Sequence, residues 1–330
     1  MRAMVIDKFG GPEVFKSAEI PVPAMKPGHI LIRVQATSVN PIDCLIRSMG
    51  PPFAPALPTV LHGDVAGTVE AVASDVVTFQ PGDEVYACAG GVTGAGGALA
   101  EYMLADAALV AHKPKSLSMR EAAALPLVTI TAWEGLFQRV RIKPGHTVLI
   151  HGGAGGVGHI AVQLAKQAGA RVCTTVSSEK KAKLARALGA DEVIDYTQED
   201  VKSYVGRLTG GQGFDVVFDT VSGGNLPKSF DATKLNGEVI ATVALGQFDL
   251  APVHMKGLSL HVIFMLIPLI HGVGRAVHGA LLRDAARLVD EGTLRPLIDP
   301  HEFMISDVAA AHQLLESGEA IGKVVLQAAW

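Results

Sequence analysis

The stretch HGGAGGVGHIAVQLAKQAGARVCTTVSSEKK, residues 151–181, decides how the rest of the chain is understood. Ahead of it, residues 147–150 form a β-branched and aliphatic run that predicts a buried strand, and Gly145 marks the turn before it. Gly153, Gly155 and Gly158 stand in G-x-G-x-x-G spacing. From Val157 onward the apolar residues Ile160, Ala161, Leu164, Ala165 and Ala168 recur every three or four positions, as one face of a helix requires. Residues 171–176 supply the next strand at βαβ distance. Each glycine has an expected role. Gly153 takes the tight turn, Gly155 lets the backbone approach a pyrophosphate, and Gly158 lets the helix pack closely on its strand. The helix N-terminus then offers unpaired N–H groups to phosphate.

The end of the second strand selects the cofactor. A carboxylate there would accept hydrogen bonds from the ribose 2′-OH of NAD and repel a 2′-phosphate. This strand runs instead into Ser177 and Ser178, whose hydroxyls can donate to phosphate oxygens, with Lys180, Lys181 and Lys183 just beyond. The expected cofactor is NADPH. Glu179 is the one dissenting residue, and at the start of a helix expected over 179–188 it serves as ordinary N-terminal charge.

Composition excludes several classes. A chain of 330 residues exceeds one ordinary domain, and its 49% hydrophobic content with 36 glycines suits an α/β protein with a large core and many tight turns. A net charge of −4 without a long basic run gives no electrostatic footprint for nucleic acid. The most apolar run, residues 258–270, is shorter than the roughly 20 residues of a bilayer span and contains a histidine and a proline. Residues 1–15 lack the apolar region of a signal peptide, and Cys44, Cys88 and Cys173 are an odd, scattered trio, so a reducing cytoplasm is expected.

Residues 1 to about 122 are β-rich, with alternating strands such as 29–35 and 65–72 between Pro and Gly turns. From about 123 strand and helix alternate through Val148, Val172, Val193 and the runs 213–220 and 237–245. Residues 277–289 have helical periodicity, and the tail from Leu294 returns to short strands that complete the first domain.

Together these segments resemble the zinc-independent, quinone oxidoreductase-like branch of the medium-chain dehydrogenase/reductase family, the zeta-crystallin-like proteins. The residues that carry the resemblance are SVNPIDCLIRSMG (38–50), HGDVAGTVEAV (62–72), FQPGDEVYA (79–87), AAALPLVTITAWEGL (122–136), the glycine loop, FDVVFDTVSGG (214–224) and GKVVL (322–326). The resemblance implies a GroES-like β-rich catalytic domain from residues 1–122 and 267–330 and a Rossmann doubly wound parallel-sheet domain from 123–266. It also implies NADPH in the cleft and a homodimer formed through an edge strand near 258–265. Cofactor contacts are then expected from Gly153, Gly155, Gly156, Val157, Gly158, Ser177, Ser178 and Lys181, and from Tyr196, Val243, Phe264 and Lys323. Asn40 is expected beside the nicotinamide, where its amide can donate to a developing oxyanion, and Thr131 near the carboxamide or substrate. On residue type alone, Asn40 would be a turn former before Pro41 and Thr131 a helix-internal threonine.

A catalytic zinc needs about three Cys, His or acidic ligands. Asn40 stands where the zinc dehydrogenases carry their first cysteine, and Gly63 where they carry a histidine; His62 is one residue early, and the four-cysteine loop is missing. His271 and His278 are about 10.5 Å apart on a helix, too far to share a metal. No metal is expected. That leaves chemistry in which hydride addition is the difficult step: reduction of a quinone or of a C=C bond conjugated to a carbonyl. Several relatives place a tyrosine five residues after the pocket asparagine, but this chain has Leu45, so the final proton is expected from water. No G-x-S-x-G elbow supports a serine hydrolase. The alternative is a catalytically weak NADPH-binding redox sensor or partner-binding protein. The acceptor is expected to be a hydrophobic small molecule lined by residues 263–266 and 50–57.

Overall fold

The chain, described over residues 1–330 as a computed structural model, falls into two units: Met1–Ile130 with Leu266–Trp330, and Thr131–Met265. The first boundary follows Ile130 where the sequence suggested residue 122, since the helix Met119–Ala123 packs on the β-sheet of the first unit.

The first unit is built on antiparallel strands. Strands β1 (Arg2–Val5) and β2 (Lys16–Glu19) pair with each other. The main sheet contains β3 (His29–Ser38), β4 (Asp64–Val72), β5 (Glu84–Cys88), β6 (Tyr102–Asp106) and β7 (Val110–His112). Two C-terminal strands, Phe303–Met304 and Val325–Gln327, complete it, in the order Phe303–Met304, Val325–Gln327, β3, β4, β5, β7, with β6 also on β3. Val325 pairs with Ser38, so the end of the chain lies against the end of β3. There β3 gives way to the helix Pro41–Met49, which starts with proline at its first position and ends at Gly50 with φ 55°. The tail also holds a helix, Val308–Glu316, where the sequence suggested only short strands. Its residues Val308, Ala311 and His312 are buried on one face.

The second unit is an all-parallel sheet of β8 (Thr147–His151), β9 (Arg171–Val176), β10 (Glu192–Asp195), β11 (Phe214–Asp219), β12 (Thr233–Ala241) and β13 (Ser259–Val262). Its order is β10-β9-β8-β11-β12-β13, the doubly wound arrangement. Strand order reverses between β8 and β11, and ligands bind such sheets outside the carboxyl ends at that switch point. The glycine stretch lies there, between β8 and the helix Gly156–Gln167. The inner strands are largely apolar; Leu149, Cys173, Phe214 and Val217 are buried with Tyr204 and Leu208 of the helix Val201–Thr209.

Candidate active site

In the second unit, the left-handed residue of the phosphate loop is Gly152, with φ 75°. Gly153, expected to make that turn, serves close packing instead: a Cβ there would lie 2.1 Å from Thr174 Oγ1. The expectation for Gly158 matches its surroundings, since a Cβ there would lie 2.1 Å from the Gly152 carbonyl oxygen. Threonines of β9 hold the loop: the Gly152 N–H donates to Thr175 Oγ1 at 3.1 Å and the Gly153 N–H to the Thr175 carbonyl at 3.2 Å.

The helix Gly156–Gln167 begins at Gly155 without a side-chain cap. Its neighbours differ, because Ser178 caps Glu179–Ala187 and Asp200 caps Val201–Thr209. An uncapped N-terminus behind a glycine loop leaves backbone N–H groups for an anion, and the absence of any Cβ at Gly155 and Gly156 lets that anion approach. The donor set fits a pyrophosphate.

Ser177 and Ser178 follow the last residue of β9, and Tyr196 the last residue of β10. Val243 and Phe264 lie two residues beyond β12 and β13. These candidates therefore share the carboxyl edge of the sheet with Gly155, Gly156, Val157 and Gly158. Ser178 Oγ accepts from the Lys181 N–H at 3.3 Å, so one lone pair of this serine is already engaged. Tyr196 is 55% exposed. Thr131 is buried in the helix Pro126–Trp133, which continues into a π-helical turn, Glu134–Arg139.

Asn40 and Lys323 belong to the first unit, and there they meet. Asn40 is 1% exposed; its Nδ2 donates to Asp64 Oδ2 at 2.8 Å, and its Oδ1 accepts from Lys323 Nζ. Lys323, 2% exposed, also donates to the Val39 carbonyl at 3.0 Å and lies 3.5 Å from Asp64 Oδ2. Asp64 is fully buried and further accepts from Ser38 Oγ at 2.8 Å and the Leu127 N–H at 2.9 Å. Asp43 accepts from the Asn40 backbone N–H at 2.8 Å. Burial pushes the Asp43 carboxyl up to about 7, and burial lowers the Lys323 ammonium against the pull of Asp64 and Asp43.

His62 is buried with φ 74° and is not aimed at a metal set. Thr37 donates its hydroxyl hydrogen to the Asp64 carbonyl at 2.6 Å, so it must accept from His62 Nδ1, 3.2 Å away. His62 Nε2 is then the acceptor for His312 Nε2–H at 2.9 Å, which leaves His312 Nδ1 to accept the Cys44 thiol at 3.3 Å. The chain of bonds runs one way, with both imidazoles neutral. Burial agrees: it depresses His312 to about 3 and His62 well below its ordinary range, and it pushes the Cys44 thiol up to about 12. Asp64, the anchor of Asn40, is the functional residue that sequence reasoning misses, although it stands within HGDVAG. The lone acid beginning β4, beside a strand that ends in Ser38 two residues before Asn40, is the signal that could have found it.

Residues 26–115 match the family described as the alcohol dehydrogenase GroES-like domain, and residues 188–326 that described as zinc-binding dehydrogenase. The chain is 36% identical over 335 residues to an NADPH-dependent alkenal/one oxidoreductase, chloroplastic, of Arabidopsis thaliana, a match that covers 99% of this chain and 79% of the relative. It is 31% identical over 328 residues to a quinone oxidoreductase of Pongo abelii, covering 99% and 97%. The crystal structure of Escherichia coli quinone oxidoreductase complexed with NADPH has a TM-score of 0.90 at 29% identity, over 99% of this chain and all of that one. With a GroES-like domain, a doubly wound parallel sheet and relatives matched along most of their length, the chain belongs to the quinone oxidoreductase-like branch of the medium-chain dehydrogenase/reductase family.

Proposed function

We propose that this protein is an NADPH-dependent reductase that transfers hydride, without a metal, to a quinone or to the C=C bond of an α,β-unsaturated carbonyl. The observation that carries it is the uncapped, glycine-cradled N-terminus of Gly156–Gln167, next to a strand that ends in Ser177-Ser178 with no carboxylate. The relatives named for NADPH-dependent alkenal/one and for quinone reduction support both halves of the proposal.

When bound, NADPH supplies the hydride from C4 of its nicotinamide. The residues of the second unit would bind it: the N–H groups of Gly156, Val157 and Gly158 would hold the pyrophosphate, with Gly155, whose own N–H donates to the Gly152 carbonyl at 2.9 Å, leaving room for it, and Ser177, Ser178 and Lys181 would hold the 2′-phosphate. Tyr196, Val243 and Phe264 would flank the cofactor from the same sheet edge, and Thr131 would orient the carboxamide or substrate. In the first unit, Asn40 offers an amide N–H to the substrate oxygen as negative charge grows on it. The proton that completes the reduction comes from water. Tyr86, the most buried tyrosine, is committed elsewhere, since its hydroxyl donates to the Leu282 carbonyl at 2.6 Å.

The acceptor is a hydrophobic small molecule. The protein acts as a homodimer through the open edge of β13, where Val262 and Phe264 are partly exposed and no strand of this chain pairs beyond it. No helix is long and apolar enough to cross a membrane. Three free, buried cysteines support a cytoplasmic setting.

The test is NADPH oxidation, followed at the nicotinamide absorbance, against quinones and α,β-unsaturated ketones, aldehydes and thioesters, with NADH as control. Turnover of an enone or quinone with NADPH preferred is the expected result. NADPH binding without turnover of any acceptor would move the protein to the sensor class, and NADH preference would overturn the assignment of Ser177 and Ser178.

A further inference from the structure

We propose that Lys323 and Asp64 are positioning residues that lock the orientation of the Asn40 amide, so that this side chain can present only an N–H, never its carbonyl, to whatever lies beside it. In most structures the O and N of an asparagine amide are assigned by inference. Here the neighbours decide. An ammonium can only donate and a carboxylate only accept, so the amide oxygen must face Lys323 and the nitrogen Asp64. A flipped amide would set N–H against N–H on one side and oxygen against carboxylate on the other.

Counting bonds assigns the rest. Lys323 has three N–H groups and three acceptors within 3.5 Å: the Val39 carbonyl, Asn40 Oδ1 and Asp64 Oδ2. Two hydrogen bonds, the ion-pair contact with Asp64 and an exposure of 2% engage it inside the first unit, so it is assigned to Asn40 where the family resemblance implied a cofactor ligand. Asp64 Oδ2 accepts from Ser38 and Asn40 and faces Lys323, and Oδ1 accepts from Leu127. Asn40 spends its oxygen on Lys323 and one N–H on Asp64, and the Asp43 carboxyl, which accepts from the Asn40 backbone N–H, also bonds with its side chain.

How Asn40 is held follows from the first unit alone; only what its amide N–H does for a substrate rests on the reductase assignment. The chain contains three asparagines, Asn40, Asn225 and Asn236, so asparagine-selective 15N labelling gives three side-chain amide pairs, with Asn40 assigned by Asn40→Ala. In Lys323→Met the Asn40 pair should shift or broaden while the other two stay, and the NADPH dissociation constant measured by nicotinamide fluorescence should remain within about twofold. Turnover should fall about 10- to 100-fold in kcat with KM little changed, approaching the size of a lost oxyanion donor. The same substitution in an Asn40→Ala background should cost nothing further in kcat. Because Lys323→Met alone leaves Asp64 buried and unpaired, the double variant Asp64→Asn/Lys323→Met, which removes both charges, is measured alongside and should show the same loss. An unmoved Asn40 pair in both variants, or a tenfold rise in the NADPH dissociation constant with additive losses in the Asn40→Ala background, would overturn the proposal. Absence of turnover in the unsubstituted protein would remove the reductase assignment, while the resonances and the NADPH affinity would still decide the role of Lys323.

Discussion

Acidification from pH 7 to 4.5 tests the buried histidines. His312 and His151 are held down to about 3 and about 4, and His62 well below its ordinary 6.5, chiefly because burial disfavours the imidazolium. As pH falls through 6.5 the unfolded chain takes up a proton at each site and the folded chain refuses it, so each histidine withdraws stability below that point. Asp43 has the opposite sign. Burial raises it to about 7 from an ordinary 3.8, so between those values the folded chain binds the proton more tightly and gains stability as pH falls. Among these four groups three protons against one leave a net of two, a contribution of about 2.7 kcal/mol per pH unit between roughly pH 5.5 and 4.5, to which carboxylates held low, such as Asp215 at about 2, add as pH nears 4.5. A folded state worth about 5–15 kcal/mol does not survive many such units. Urea unfolding followed by circular dichroism, at fixed protein concentration and half-unit pH steps, gives the slope. His312→Leu removes one of the three histidines and should reduce the slope by about 1.4 kcal/mol per unit, with a loss of about 1–3 kcal/mol at neutral pH from the acceptor left bare on His62. Asp43→Asn removes the opposing group and should steepen the slope by about 1.4 kcal/mol per unit. Equal slopes for His312→Leu and the unsubstituted protein would refute the neutral, one-way chain from Cys44 to Thr37.

Three further outcomes are expected. Ser177→Asp places a carboxylate at the end of β9 and should lower the NADPH-to-NADH ratio of kcat/KM by about 10- to 100-fold, read from initial rates with both cofactors. Gly158→Ala would set a methyl 2.1 Å from the Gly152 carbonyl oxygen; the helix must shift, with a stability loss of about 1–3 kcal/mol by urea unfolding and weaker NADPH binding by fluorescence titration. Tyr86→Phe leaves the buried Leu282 carbonyl without its hydroxyl donor and should lower stability by about 1–3 kcal/mol while the solvent isotope effect on turnover stays unchanged.

What the sequence made legible was local. The strand 147–151, the glycine loop, its helix and β9 lie within 30 consecutive residues, and each is declared by short-range spacing: aliphatic runs for strands covered on both faces, three-to-four periodicity for the helix, glycine where backbone must come close. Even there, spacing could name the glycines but not their conformations. Gly152 carries the positive φ and Gly153 the contact with Thr174, and only the register of β9 beside β8 separates those two roles. The helix Val308–Glu316 was legible as well, since Val308, Ala311 and His312 follow helical spacing, but the expectation of a β-rich tail obscured it.

The site in the first unit was legible in residue type and illegible in partnership. Asn40 meets Asp64 across 24 residues and Lys323 across 283, and His62 meets His312 across 250. No local pattern encodes such pairs; they exist because the C-terminal strand Val325–Gln327 lies on β3 and the helix Val308–Glu316 packs on Pro41–Met49. Residue type leaves such roles open. A lysine in a cofactor-dependent enzyme suggests an anion ligand, and a histidine one residue before a former zinc position can be a pocket wall or a hydrogen-bonded residue; here Lys323 is 2% exposed and bonded to Val39 and Asn40, and His62 is buried and bonded to Thr37 and His312. Burying Asp64 and Lys323 is costly, and an apolar pair of similar volume would often be as stable. A fold that keeps the charged pair around one asparagine amide keeps it for what only charges can impose on an amide, a fixed choice of which end points where.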